Sequence, residues 1–136
     1  ILSLAAGGAM LGAWPRLHPR WVPAARIVYG LCPLVFGASH LVYADFTAAM
    51  VPGWIPGPLF WAYATGAAHI AAGLALVTGI AARLAATCLA AMCGAFVLLL
   101  HAPRVAAAPA SRLEWTMLLV ALSISGAAWL IRRAAR

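Results

Sequence analysis

The stretch between residues 59 and 80 reads LFWAYATGAAHIAAGLALVTGI and contains no Asp, Glu, Lys or Arg. As an α-helix with a rise of about 1.5 Å per residue, it would be about 33 Å long. That length matches the hydrocarbon core of a bilayer, which is about 30 Å thick. The stretch therefore predicts a transmembrane helix.

The composition of the whole chain agrees with a membrane location. Of its 136 residues, 66% are hydrophobic and only 8% are charged. Soluble domains usually have about 45–50% apolar and about 25% charged residues. Nine basic and two acidic side chains cannot cover a folded globule in water, which excludes a soluble enzyme and a secreted disulfide scaffold.

Four segments between charges and prolines are long enough, or nearly so, to cross a bilayer: residues 27–50, 59–80, 84–100 and 113–131. Residues 1–14 are apolar but too short to span, so we expect them to be the end of an incomplete transmembrane helix. The predicted fold is all-α, an integral membrane four-helix bundle over residues 27–131 with an additional partial N-terminal transmembrane helix.

Arginine is unevenly distributed between the two ends of these helices. Alternate threading leaves only Arg104 and Arg112 on one side. The other side carries seven: Arg16, Arg20, Arg26, Arg83, Arg132, Arg133 and Arg136. Because positive charge collects on the cytoplasmic side, the loop at 15–26 and the tail at 132–136 are predicted to be cytoplasmic. We expect a multi-pass protein of a bacterial inner membrane with a cytoplasmic C-terminus, and no nucleic-acid partner.

Two histidines lie within consecutive predicted helices. His40 is twelve residues before Pro52 and His69 is eleven after Pro58, so both should lie about 16–18 Å below the outer helix ends. Ionisable groups near the bilayer midplane are costly and usually face the bundle interior or a cavity. The alternative is a structural pair of neutral imidazoles hydrogen-bonded to carbonyls or hydroxyls.

A second polar group gathers near the predicted outer side. Asp45 lies one to two turns beyond the first histidine, His101 ends the third helix, and Glu114 begins the fourth. Tyr43 and Tyr63 lie at intermediate depth. Together these side chains could form a polar funnel down to the histidine pair. The alternative is that Asp45, His101 and Glu114 are interfacial residues, with Glu114 favourably placed in the first turn of its helix.

The three cysteines offer no redox motif. Cys32, Cys88 and Cys93 form no C-x-x-C pair and lie within apolar segments. Disulfide exchange needs an accessible thiolate, so the sequence predicts three small core residues.

The order of short motifs resembles a known family. They are FGASH (36–40), VPGWIP (51–56), WAYATGAAHIAAGLAL (61–76), ARLAA (82–86), LLLHAP (98–103) and LEW (113–115). Over roughly residues 27–131 the chain resembles the DoxX-like family of small four-helix bacterial membrane proteins. In that family the first helix carries G-x-x-H, matched here by Gly37 and His40. The second carries T-G-x-x-(E/H)-x-x-x-G, matched by Thr65, Gly66, His69 and Gly73.

This resemblance implies more about the fold than about the activity. Some members of the family are small subunits of thiosulfate:quinone oxidoreductases, and others take part in membrane-associated thiol or oxidative-stress complexes. The resemblance therefore implies a small membrane subunit associated with redox chemistry. Many relatives have Glu where this chain has His69, so a role for a carboxylate is not carried over.

The leading hypothesis is a subunit of a membrane quinone-linked oxidoreductase. A quinone needs an apolar cavity with a few polar groups, and a neutral imidazole can donate to its carbonyl and exchange protons near neutral pH. His40 and His69 are predicted to contact the quinone head group. Asp45, Tyr43, Tyr63, His101 and Glu114 would line the cofactor site or connect it to the outer aqueous phase.

Two alternatives remain open. His40 and His69 could be axial ligands of haem or ligands of copper or zinc, with Arg104 and Arg112 pairing with haem propionates. The chain could instead be a non-catalytic assembly or anchoring subunit. Besides the lipid bilayer, its expected partners are other membrane protein subunits or further copies of itself.

Overall fold

The computed structural model describes residues 21–134, and these residues are helical or form short connections, with no strand among them. The helices are α1 (Val22–Val42), α2 (Ala44–Ala48), α3 (Pro58–Thr78), α4 (Ala82–Phe96), a π-helical turn (Val97–His101), α5 (Ala102–Ala107) and α6 (Arg112–Ala134). The all-α prediction is confirmed. The predicted partial helix at 1–14, and residues 15–20 of the predicted loop, lie outside the described residues.

Four helices are long and apolar enough to cross a membrane: Val22–Val42, Pro58–Thr78, Ala82–Ala107 and Arg112–Arg133. The third combines α4, the π-helical turn and α5 into one continuous span. Large apolar side chains cover their outward faces, as expected where lipid replaces water. Those exposed include Val28, Leu31, Leu74, Leu84, Leu119 and Leu122. The predicted four-helix membrane bundle is confirmed.

The first span differs from its prediction at both ends. Instead of residues 27–50, it begins at Val22 and ends at Val42. Proline is well tolerated in the first turn of a helix, and Pro23 lies there, so the predicted loop at 15–26 extends too far. At the other end Tyr43 leaves helical geometry, with φ −111° and ψ 43°. The short helix α2 follows, with Asp45 in its first turn, where an acidic residue is favourable.

The spans pack in two pairs, α1 along α3 and α4 along α6, and α3 also packs on α4. Hydrogen bonds from a buried tyrosine and a half-buried serine join the helices. The Tyr29 hydroxyl of α1 donates to the Ile124 carbonyl of α6 at 2.6 Å, and the Ser125 hydroxyl donates to the Ala90 carbonyl at 2.8 Å. Tyr29 belongs to the same buried cluster as Leu76 of α3 and Leu89 of α4.

Glycines allow α1 and α3 to approach each other closely. A Cβ built on Gly37 would lie 2.6 Å from the Gly66 carbonyl oxygen, and one on Gly73 would lie 2.9 Å from the Gly30 carbonyl oxygen. Within each helix the two glycines are seven residues apart, or about two turns. They therefore lie on one face and form a continuous backbone contact, the packing mode favoured between membrane helices.

Candidate functional site: a histidine pair beside a large cavity

His40 of α1 and His69 of α3 lie next to each other, with ring centroids 5.0 Å apart and planes inclined by 37°. Each follows a crossing glycine by three residues, Gly37 in α1 and Gly66 in α3. Helical side chains lean toward the N-terminus of their own helix. Because the two helices are antiparallel, each histidine leans back toward the glycine crossing, and the rings meet there.

The hydrogen bonds of the two rings fix their tautomers. Nδ1 of His40 lies 2.8 Å from the Phe36 carbonyl oxygen, and Nδ1 of His69 lies 2.8 Å from the Thr65 carbonyl oxygen. A carbonyl oxygen can only accept, so each Nδ1 carries the hydrogen and donates it. In the neutral ring Nε2 then has a free lone pair. The pair therefore presents two hydrogen-bond acceptors.

His69 is the more enclosed of the two rings. It is 2% exposed, and its centroid lies 6.3 Å from that of Phe36 and 6.2 Å from that of Phe96. The thiol of Cys93 in α4 lies 3.9 Å from its Nε2, close enough to donate a weak hydrogen bond. His40 is only half-buried, and its Nε2 has no hydrogen-bond partner among residues 21–134.

Both imidazoles line one cavity of about 980 Å³. Its wall is mostly apolar and comes from all four spans, together with the connection after α2. Membrane-soluble cofactors and drug-sized molecules occupy pockets of about 300–1,000 Å³, so a head group and part of a tail would fit. The polar side chains on the wall are Ser39, His40, Tyr43, Thr47, Thr65, His69, Cys93 and His101.

The π-helical turn places a third imidazole in the cavity wall. His101 ends this turn and is 6% exposed. Its Nδ1 is buried and has no hydrogen-bond partner in the described part of the chain. Such turns insert one residue into a helix and often occur at functional sites. An unsatisfied buried nitrogen is rare enough to need an explanation, and a molecule bound in the cavity would supply one.

The structure brings together only part of the predicted funnel. Tyr43 and His101 line the cavity with the histidine pair, whereas Asp45, Tyr63 and Glu114 do not. Asp45 is exposed on α2, and Tyr63 is 48% exposed on the outer face of α3. The side chains of these three residues therefore lie outside the cavity wall, and their role in a cofactor site stays a prediction.

Glu114 is engaged elsewhere, in a bidentate ion pair with Arg104. The guanidinium donates from Nε to Oε2 and from Nη2 to Oε1, both at 2.9 Å. Glu114 is in the first turn of α6, as predicted. The pair uses two of the five N–H donors of the Arg104 guanidinium. The pair joins α5, at the end of the third span, to the first turn of α6.

The metal alternative has few ligands to draw on. Within residues 21–134, no three His, Cys, Asp or Glu side chains converge in a way that could hold a metal ion. The two imidazoles alone would have to hold copper or zinc, and each already uses one ring nitrogen. The haem and metal ligand roles of His40 and His69 stay predictions of lower rank.

Cys93 is the residue of the site that sequence reasoning missed. It is buried, as predicted for all three cysteines, but Cys32 is half-buried and Cys88 is exposed. Nothing in the spacing of Cys93 places it against His69, 24 residues away, because the contact depends on how α3 and α4 pack. The sequence indicates this contact only weakly, because it shows no more than that His69 and Cys93 lie inside apolar spans joined by a tight turn.

Comparisons with known proteins bear on this architecture. The family model described as DoxX matches residues 22–102, which include α1, α3, α4 and all three cavity histidines. Neither the curated proteins nor the solved structures contain a match to this chain. Because the matched region covers more than half of the chain, this protein, whose described residues form four apolar spans, belongs to the DoxX family of multi-pass membrane proteins.

Proposed function

We propose that this chain is a membrane subunit of a quinone-linked oxidoreductase and that its cavity binds the reduced cofactor, a quinol. The observation that supports it is the histidine pair with both Nδ1 atoms donating to backbone carbonyls. The pair then offers acceptor nitrogens to a large apolar cavity. A quinol brings two hydroxyl donors and an apolar ring and tail, which complement such a site.

The neighbouring hydroxyl groups also favour quinol over quinone, because they too are available only as hydrogen-bond acceptors. Ser39 donates to the Val35 carbonyl at 2.9 Å, and Thr65 donates to the Trp61 carbonyl at 2.7 Å. With their hydrogens used, these oxygens can only accept. A quinone carbonyl also only accepts, so it would face lone pairs. The predicted donation from neutral imidazole to a quinone carbonyl is therefore reversed in this proposal.

The chain's own residues would bind and deprotonate the head group. His40 Nε2 accepts a hydroxyl hydrogen, while His69 Nε2 shares its lone pair with the Cys93 thiol. Oxidation of a quinol releases two electrons and two protons, and a neutral imidazole nitrogen with a free lone pair can accept a proton. The carbonyls of Phe36 and Thr65 would stabilise an imidazolium, because they accept its Nδ1–H.

The membrane, the orientation and the partners of this subunit are part of the same proposal. The arginine distribution supports a bacterial inner membrane with a cytoplasmic C-terminus, which would turn the connection after α2 toward the periplasm. A partner subunit that carries a redox centre would accept the two electrons, and further copies of this chain would pack beside it. The apolar outward faces of the spans supply surface for both lipid and partner helices.

The test is quinol binding to the purified protein in lipid nanodiscs, measured by calorimetry under nitrogen. A short-chain benzoquinol with a fully substituted ring, which leaves no free ring carbon for thiol addition, and the matching benzoquinone are compared in wild type and in the double variant His40→Leu, His69→Leu. We expect wild type to bind the quinol more tightly than the quinone. The double variant should lose at least about tenfold in quinol affinity, since each lost hydrogen bond is worth about 1 kcal/mol.

The matched control is Tyr63→Phe, which changes a polar side chain of α3 outside the cavity and should leave both affinities unchanged. Equal quinol affinity in wild type and in the double variant, with folding verified by circular dichroism, would rule out the proposed site. Preferential binding of the quinone would reverse the assigned hydrogen-bond direction.

A further inference from the structure

We propose that Cys93 and His69 form a reactive thiol–imidazole pair that is alkylated by apolar α,β-unsaturated carbonyl compounds entering the cavity from the bilayer. This activity goes beyond quinol binding and does not depend on it. It would make the cavity a covalent capture site for lipid-soluble electrophiles.

The geometry is that of a nucleophile, a base and a group that orients the base. Sγ of Cys93 lies 3.9 Å from Nε2 of His69, and Nδ1–H of the same ring donates to the Thr65 carbonyl at 2.8 Å. The hydrogen bond to the Thr65 carbonyl fixes the His69 ring in the tautomer in which Nε2 has a free lone pair that faces the thiol. An adjacent base held in this way is the usual means of activating a thiol nucleophile.

The other cysteines lack this arrangement. Cys32 on α1 and Cys88 on α4 have no recorded hydrogen bond to an imidazole among residues 21–134. Buried cysteines in apolar surroundings are ordinarily inert, because the thiolate that reacts is disfavoured there. Cys93 differs since His69 can take the proton as the carbon–sulfur bond forms, so a free thiolate never has to exist in the apolar cavity.

The cavity supplies the second observation that points to a ligand. Cys93 and His69 both lie in its wall, and so does His101, whose buried Nδ1 has no partner in the described residues. The wall is otherwise mainly apolar, as is the electrophile class proposed. A carbonyl-containing molecule of this kind would reach the site by partitioning from lipid.

The addition balances without an external oxidant or reductant. The sulfur of Cys93 bonds to the β-carbon, and the π bond between the α- and β-carbons breaks. The thiol proton passes to Nε2 of His69 and then to the α-carbon. The imidazole returns to its neutral form, and the product is a thioether that carries all the atoms of both reactants.

N-ethylmaleimide is a suitable probe, because it is a small, uncharged unsaturated carbonyl compound. The full chain in nanodiscs is treated at fixed pH, and labelling of each cysteine over time is followed by peptide mass spectrometry. We expect Cys93 to react faster than Cys32 and Cys88, although Cys88 is exposed and Cys93 is buried. The two slower cysteines are internal controls for folding and reagent concentration.

The variant that tests the base is His69→Gln, and Tyr63→Phe is its control, because Tyr63 lies on the same helix but outside the cavity wall. We expect His69→Gln to slow Cys93 by about tenfold or more, at the lower end for loss of a general base. Tyr63→Phe should leave the rate within twofold.

Two results would overturn the proposal: Cys93 reacting no faster than the other cysteines in wild type, or an unchanged Cys93 rate in His69→Gln. The first comparison needs no variant, so it stands even if His69→Gln does not fold. If the protein did not bind quinol, the Cys93 labelling rates in wild type and in His69→Gln would still test this proposal. If Cys93 were labelled slowly, the quinol-binding result would still stand.

Discussion

Gly37 of α1 lies so close to Gly66 of α3 that a single added methyl group would meet the opposite backbone. A Cβ on Gly37 would be 2.6 Å from the Gly66 carbonyl oxygen and equally near the Ile70 side chain. Each glycine is three residues before one of the paired histidines. The crossing of these two glycines therefore sets the 5.0 Å separation of the His40 and His69 rings.

Gly37→Ala should destabilise the bundle and weaken quinol binding together. The carbonyl at 2.6 Å is backbone and cannot rotate away, so the helices must separate, and overpacking of this kind costs about 1–3 kcal/mol. The free energy of unfolding in mixed micelles and the quinol affinity are the measurements.

The matched control for Gly37→Ala is Gly126→Ala on α6, where a Cβ meets nothing within 4 Å. It should change the unfolding free energy by less than about 1 kcal/mol, the helix-propensity difference between the two residues. Similar losses in the two variants would show that helix propensity, and not the crossing, explains the effect.

Arg104→Ala should destabilise the protein more than Glu114→Ala does. The two side chains form a bidentate pair, but that of Arg104 is 40% exposed and that of Glu114 only 12%. Loss of the arginine leaves a largely buried carboxylate without its counter-charge, whereas loss of the glutamate leaves a guanidinium that reaches the surface. Thermal unfolding of both variants gives the comparison.

Arg112→Ala is the control for this pair, because Arg112 is exposed at the start of the same helix and forms no ion pair among residues 21–134. Its loss should have little effect. The double variant Arg104→Ala, Glu114→Ala should be more stable than Arg104→Ala alone. If it is less stable, the unpaired carboxylate is not the source of the cost.

Hydrophobicity and spacing predicted the spans and the candidate histidines, because both depend on properties local to one helix. Asp45 and Glu114 show where this reasoning stops. Asp45 was expected to continue the first helix past His40, but the break at Tyr43 places it on a separate short helix outside the cavity wall. Glu114 pairs with Arg104, ten residues away in the sequence, and this contact depends on how the third and fourth spans pack together.

Tyr29→Phe should lower the unfolding free energy by about 1–2 kcal/mol, the cost of removing a buried hydrogen bond and leaving its acceptor with less compensation. The tyrosine is 2% exposed and its hydroxyl reaches the Ile124 carbonyl at 2.6 Å. That bond joins the first span to the fourth. Equilibrium unfolding in mixed micelles measures the loss.

Tyr63→Phe provides the comparison for Tyr29→Phe, since its ring is 48% exposed and forms no recorded hydrogen bond in the described residues. Removal of its hydroxyl should change stability by less than about 0.5 kcal/mol, as for most surface substitutions. A loss at Tyr63 equal to that at Tyr29 would assign the effect to the bilayer interface instead of the buried bond.

His101→Leu should stabilise the protein while weakening binding in the cavity. Nδ1 of His101 is buried without a partner, and an unsatisfied buried polar group costs about 1–3 kcal/mol. An apolar side chain removes that cost, so the unfolding free energy should rise by about 1 kcal/mol.

His69→Leu should have the opposite effect on stability, because Nδ1 of His69 donates to the Thr65 carbonyl. Unfolding in mixed micelles and quinol calorimetry on both variants check the prediction. Destabilisation by His101→Leu with unchanged quinol affinity would mean that His101 is retained for packing and not for a bound molecule.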